Sequence, residues 1–131
     1  MAEFTTLFAP TPNSYKRFTP YSWAGTSVSW SYENRSTGIR AIAEHADESR
    51  LEHRLPGADT NPYIVVAACL AGGLHGIERK IEPAPTYAGD AYAASELQTV
   101  PTSLEEAAAL LERSQVAREM LGGDFVQHYS S

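Results

Sequence analysis

Arg50-Leu51-Glu52-His53-Arg54 is the run whose residue types and spacing come nearest to chemistry. In an extended segment Arg50, Glu52 and Arg54 share one face, and Leu51, His53 and Leu55 share the other. A carboxylate flanked by two guanidinium groups suits phosphoryl transfer, in which a divalent cation and arginines divide the charge of the migrating group. The same three charges also describe a solvated strand face, so the pattern alone leaves both readings open. Arg17, Arg35 and Arg40 add to it, which puts five arginines within 38 residues. So many like charges at partly buried spacing repel one another unless anions or carboxylates intervene, which points to a polyanionic ligand. The histidines His45, His53, His75 and His128 form no metal-ligand pair by spacing. A phosphate-binding glycine loop, a dinucleotide fingerprint, a Cys-x-x-Cys pair and a nucleophile elbow are all missing from the chain.

These groups need elements to hold them. Residues 8–20, with Pro10, Pro12 and Pro20, read as an ordered loop. In residues 26–32, Val28, Trp30 and Tyr32 alternate with Ser27, Ser29 and Ser31, a strand pattern with one buried face. Residues 38–43 and 49–55 are two further short strands, and acidic residues 44–48 form a hairpin loop between them. Asp59, Thr60 or Asn61 can then cap a helix whose first residue is Pro62 and which runs to about Ile81. It is apolar nearly all round, which predicts burial in a larger assembly, and Gly72-Gly73 predict close packing or a kink. Residues 82–101 read as a loop. Ser103 with Glu106 forms a capping box for a helix over residues 105–121, stopped by Gly122-Gly123. Residues 124–129 begin one more helical turn. The expected fold class is α+β: a small antiparallel sheet of about three strands, packed with a buried apolar helix and a C-terminal helical segment.

Composition excludes several classes. A chain of 131 residues that is 43% hydrophobic is one domain at most and is not disordered. Residues 1–57 carry six basic and six acidic groups. Residues 58–131 carry four basic and ten acidic, which supplies the net charge of −6. No dense basic patch exists for nucleic acid, and no apolar run is long enough to span a membrane. The start has no basic, apolar leader, and Cys69 stands alone, so a cytoplasmic protein without an internal disulfide is expected.

Five linked motifs carry a resemblance. Pro12-Asn13-Ser14-Tyr15-Lys16-Arg17 comes first, followed by Glu33-Asn34-Arg35-Ser36 with Ile39-Arg40. Arg50-Leu51-Glu52-His53-Arg54, Asn61-Pro62-Tyr63 and Gly73-Leu74-His75-Gly76-Ile77-Glu78 follow in that order. Together they resemble bacterial-type glutamine synthetases. The resemblance covers essentially the whole chain and places it in the C-terminal part of the catalytic domain, without the N-terminal β-grasp domain or the first part of the catalytic domain.

The resemblance implies an ATP-dependent ligase that phosphorylates the side-chain carboxylate of glutamate and lets ammonia or a larger amine displace the phosphate. It implies Glu52 as a ligand of magnesium or manganese, Arg17 and Arg54 as binders of glutamate, and Arg35 as the catalytic arginine facing the transferring phosphate. Arg40 and Arg50 fall near the nucleotide. A ring-shaped homo-oligomer with active sites shared between subunits is implied as well, with no nucleic-acid or membrane partner. Two positions depart from the pattern. Trp23 stands where ammonia-using members carry a flap glutamate, which favours a polyamine, ethanolamine or another alkylamine unless Trp23 is only a packing aromatic. Asp47 stands near a position where ATP-binding members often have lysine. One protein carboxylate cannot assemble the family's paired metals, so the chain by itself is expected to be inactive. A stand-alone interaction or regulatory module descended from that domain is the alternative.

Overall fold

The computed structural model describes all 131 residues. The chain divides into two compact units, a helical one built from Met1–Tyr15, Pro56–Pro83 and Pro101–Ser131, and a sheet-bearing one built from Lys16–Leu55 and Ala84–Val100.

In the helical unit, a 3-10 turn at Ala2–Phe4 leads into α1 (Thr5–Phe8). These two pieces fall where the sequence offered no periodic signal, because four residues are too few to display one. Leu7 and Phe8 are nonetheless buried there, with Leu111 and Val126. α2 spans Pro62–Glu78 and α3 spans Leu104–Arg113. α4 covers Gln115–Leu121 and α5 covers Gly123–Ser130. α2 starts at Pro62 as expected, and of the three candidate caps it is Asn61 that serves, its side-chain oxygen accepting from the Tyr63 and Ile64 amides at 3.0 and 3.5 Å. Pro62 costs nothing at the first helical position, where its missing N–H had no partner to lose.

The capping box at Ser103 also forms. The Ser103 hydroxyl accepts from the Glu106 amide at 3.2 Å, and the Glu106 carboxylate accepts from the Thr102 amide at 3.0 Å. The single helix expected over residues 105–121 is two helices, because Ser114 breaks it. Its hydroxyl donates to the Glu3 carboxylate and accepts from the Ala117 amide at 3.0 Å, ending α3 and capping α4 with one side chain.

α2 corrects an expectation. It is not a buried helix in this chain: only Ala68 and Ala71 are buried, while Tyr63, Val66, Leu70, Leu74 and Ile77 are exposed. Within this chain Gly72 and Gly73 mark neither close packing nor a kink. A Cβ at either would meet nothing within 4 Å, and the helix runs through them unbroken. An all-round apolar helix has more faces than this chain has partners for.

In the sheet-bearing unit β1 (Trp30–Tyr32), β2 (Ile39–Ile42) and β3 (Arg50–His53) form one sheet in that order. β2 and β3 pair antiparallel across the acidic hairpin loop, with Arg40 opposite Glu52 and Ala41 opposite Leu51. β1 pairs with β2 in parallel, so the sheet is mixed rather than wholly antiparallel. The alternating segment has its buried face on Ser27, Ser29 and Ser31, while Tyr32 is exposed. Backbones meet just before this segment: a Cβ on Gly25 would lie 2.7 Å from the Gly38 Cα. The Ser27 and Ser29 hydroxyls satisfy each other at 2.7 Å. Residues 84–100 are held along this edge. The Val28 amide donates to the Gln98 carbonyl at 2.7 Å, and the Trp30 indole donates to the Ala84 carbonyl at 2.6 Å.

Candidate functional site

The site residues read from sequence all lie in the sheet-bearing unit. Cross-strand register places Arg40 of β2 directly opposite Glu52 of β3, and their side chains meet with Arg40 Nη1 3.2 Å from a Glu52 carboxylate oxygen. Arg40 also pairs with Glu33, the residue after β1. On the other side of Glu52, Arg54 Nη1 lies 3.5 Å away. The result is a chain of alternating charge, Glu33–Arg40–Glu52–Arg54, with both arginine side chains largely covered. The two carboxylates hold the guanidinium of Arg40 even more firmly protonated than usual, the hydrogen bond to Glu33 being the larger cause.

The five arginines therefore do not form one cluster. Arg50 turns out to solvent and donates to the Glu48 carbonyl at 3.1 Å, away from Glu52. Arg35 sits exposed on the turn between β1 and β2. That turn is shaped by Asn34, whose side-chain oxygen accepts from the Ser36 amide at 2.9 Å. Arg17 reaches across to the Leu55 carbonyl at 3.0 Å, just past Arg54 in sequence. Glu33 is the participant that sequence reasoning did not assign. Its signal was present in the Glu-Asn-Arg-Ser run, but only folding brings it to Arg40.

Arg54 does two further things. Its Nη2 donates to the Trp23 carbonyl at 2.6 Å, and its Nε is buried without an acceptor. A buried donor left unpaired costs on the order of 1–3 kcal/mol. Trp23 is not a packing residue of this chain: its side chain is 66% exposed. Tyr21, Trp23 and Glu33 all adopt positive φ, at 62°, 64° and 51°. Bulky residues hold that conformation at a cost of about 1–3 kcal/mol each, and such positions gather at functional sites.

Beside Glu52, His53 points to the opposite face, as alternation requires. Burial depresses its pKa to about 4, which keeps the imidazole neutral near pH 7. Its Nδ1 accepts from the Leu55 amide at 3.4 Å. No group of three or more His, Cys, Asp or Glu side chains converges in a way that could hold a metal ion. Glu52 offers one carboxylate where magnesium requires about six oxygen ligands, so this chain does not by itself fit a complete divalent-metal site.

The structure thus presents a strand-borne carboxylate between two guanidinium groups, on a mixed sheet with a flanking segment along its edge. The profile of the glutamine synthetase catalytic domain matches residues 1–131, and the chain belongs to that family.

The glutamate–isopropylamine ligase of a Pseudomonas species is 45% identical over 130 residues, which is 98% of this chain and 28% of that protein. The gamma-glutamylethanolamide synthetase GlnA4 of Streptomyces coelicolor is 46% identical over 129 residues, again 98% and 28%. A glutamine synthetase of Pyrococcus abyssi is 41% identical over 125 residues, 90% of this chain and 28% of that protein. Among solved structures, GmaS in complex with ADP superposes with a TM-score of 0.84 at 31% identity, over 98% of this chain and 31% of that one. The chain thus spans little more than a quarter of the length of the curated relatives named here.

Proposed function

We propose that this chain supplies one wall of the active site of an ATP-dependent glutamate–amine ligase working through γ-glutamyl phosphate, and that it is inactive by itself. The observation that carries the reading is Glu52 held between Arg40 at 3.2 Å and Arg54 at 3.5 Å, in a chain matched by the catalytic-domain family over its whole length. In the reaction the γ-phosphoryl group of ATP passes to the γ-carboxylate of glutamate and ADP leaves. The amine nitrogen then attacks the carbonyl carbon of the acyl phosphate, phosphate departs, and a proton lost from nitrogen leaves the neutral amide.

Each side chain has a part in this scheme. Arg54 and Arg17 take the carboxylates of glutamate. Arg35, exposed and free of ion pairs, faces the migrating phosphoryl group, where added positive charge lowers the barrier. Arg40 and Arg50 lie toward the nucleotide. Glu52 contributes one oxygen ligand to magnesium or manganese, which supplies electrostatic stabilisation of phosphate charge when bound. The remaining ligands must come from other polypeptide.

The amine is larger than ammonia. Trp23 replaces an acidic side chain with an exposed indole, which can cover an alkyl substituent but cannot take a proton. The names of two relatives, an isopropylamine ligase and an ethanolamide synthetase, support this choice. The reading carries with it a cytoplasmic, ring-forming homo-oligomer. The uncovered stripe of α2 favours contact with further polypeptide, and it is also the feature that a stand-alone, non-catalytic interaction module would use.

The test is γ-glutamylamide formation from glutamate, ATP and magnesium with ammonia, isopropylamine, ethanolamine and a diamine. The 131-residue chain should give no product above background. A polypeptide translated from the reading frame extended upstream of Met1 should, with alkylamines exceeding ammonia. Product from the short chain would overturn its assignment as an inactive part. A silent extended polypeptide would overturn the ligase reading in favour of the interaction module.

A further inference from the structure

The segment carrying Trp23 is fastened at several points that the ligase reading does not use. The Tyr21 hydroxyl donates to the Asp90 carboxylate at 3.1 Å, and the Tyr21 and Tyr92 rings pack at 5.3 Å, tilted by 50°. The Tyr92 hydroxyl donates to the Ala24 carbonyl at 2.8 Å. The Asp90 carboxylate also accepts from the Tyr92 amide at 3.0 Å, so one side chain fixes its own turn and grips Tyr21. Between these anchors, Tyr21 and Trp23 hold positive φ. A tryptophan left to itself does not remain in the left-handed region, so the tethers on either side must select it. Arg54 completes the set through the Trp23 carbonyl.

We propose that Asp90 and Tyr92 are positioning residues for amine selectivity, clamping the backbone of residues 21–24 in a preset conformation that aims the Trp23 indole at the alkyl group of an alkylamine. The proposal rests on the reading that Trp23 faces the amine. Its chemistry is that of preorganisation: a rigid aromatic wall discriminates between an isopropyl group and a hydrogen atom better than a mobile one does. Asp90 and Tyr92 lie some 70 residues beyond Trp23, inside a stretch that reads as a loop, and only the hydrogen bonds reveal their connection to it.

The experiment uses 5-fluorotryptophan incorporated into the 131-residue chain, with Trp23 and Trp30 distinguished by Trp23→Phe. Trp30 is held separately by its bond to the Ala84 carbonyl, so its signal reports whether the sheet is intact. Tyr92→Phe removes one hydroxyl and Asp90→Asn one charge. In each variant the Trp23 ¹⁹F resonance should shift and narrow as residues 21–24 are released, while that of Trp30 stays in place. In the extended ligase polypeptide, the same variants should lower the ratio of kcat/KM for isopropylamine over ammonia by on the order of tenfold.

A Trp23 resonance that does not move would overturn the clamp. Loss of both resonances together would make Asp90 and Tyr92 ordinary supports of the sheet, and would overturn it equally. A shifted Trp23 with an unchanged amine ratio would overturn the role in selectivity. If Trp23→Ala itself leaves the ratio unchanged, the reading that Trp23 faces the amine fails, and selectivity falls with it, whatever the resonances show.

Discussion

Gly25→Ala tests how tightly the sheet-bearing unit is built. The Gly25 amide donates to the Arg54 carbonyl at 3.1 Å, so this residue holds the strand end that carries the site. An added Cβ would lie 2.7 Å from the Gly38 Cα and 3.2 Å from both the Thr37 carbonyl oxygen and Leu55 Cδ1. Two of those three neighbours are backbone, and Leu55 is fully buried, so no flexible side chain can give way. Overpacking of this kind costs about 1–3 kcal/mol.

Both tryptophans, Trp23 and Trp30, lie in this unit, so fluorescence during urea titration reports its unfolding. With a urea slope of about 2 kcal/mol per molar, a loss of about 2 kcal/mol should lower the midpoint by about 1 M. Gly73→Ala provides the opposite sign. Nothing lies within 4 Å of its Cβ position in α2, so the helix should gain about 1 kcal/mol, read by circular dichroism. A Gly25→Ala midpoint equal to that of the unaltered chain would refute the inference that backbones close on each other at this point.

Three further expectations concern other parts of the chain. His53 is neutral when folded, with a pKa of about 4 against 6.5 for a free imidazole, so the unfolded chain binds more protons between those values. Its contribution is whole above pH 6.5 and is lost as pH falls toward 4, by at most about 3 kcal/mol, and His53→Gln should flatten that part of the stability–pH curve relative to the unaltered chain. Removing the α3 cap with Ser103→Ala should cost about 1 kcal/mol in denaturant titration, since the Glu106 amide loses its acceptor. The exposed α2 stripe should drive self-association of the isolated chain. Sedimentation velocity should show concentration-dependent species that Leu70→Glu with Leu74→Glu abolishes; an ideal monomer of the unaltered chain would contradict this.

What could be read from sequence was whatever is decided locally. Asn61-Pro62 and Ser103 with Glu106 cap their helices because a side chain two or three residues away satisfies an amide that the helix leaves open. The Arg50–His53 strand and its acidic hairpin loop follow from alternation and turn composition, and five linked motifs sufficed for the family.

Partner choice was decided only in three dimensions. Arg50 and Arg54 looked equivalent around Glu52, yet Arg40, twelve residues away in sequence, takes the place of Arg50, because antiparallel register sets it opposite the carboxylate. The parallel pairing of β1, the buried serine face and the Tyr21–Asp90 tether are likewise contacts between distant stretches. α2 marks the same boundary from the other side. Its composition asks for burial on every face, but burial is a property of the neighbours, and this chain covers only the alanine side.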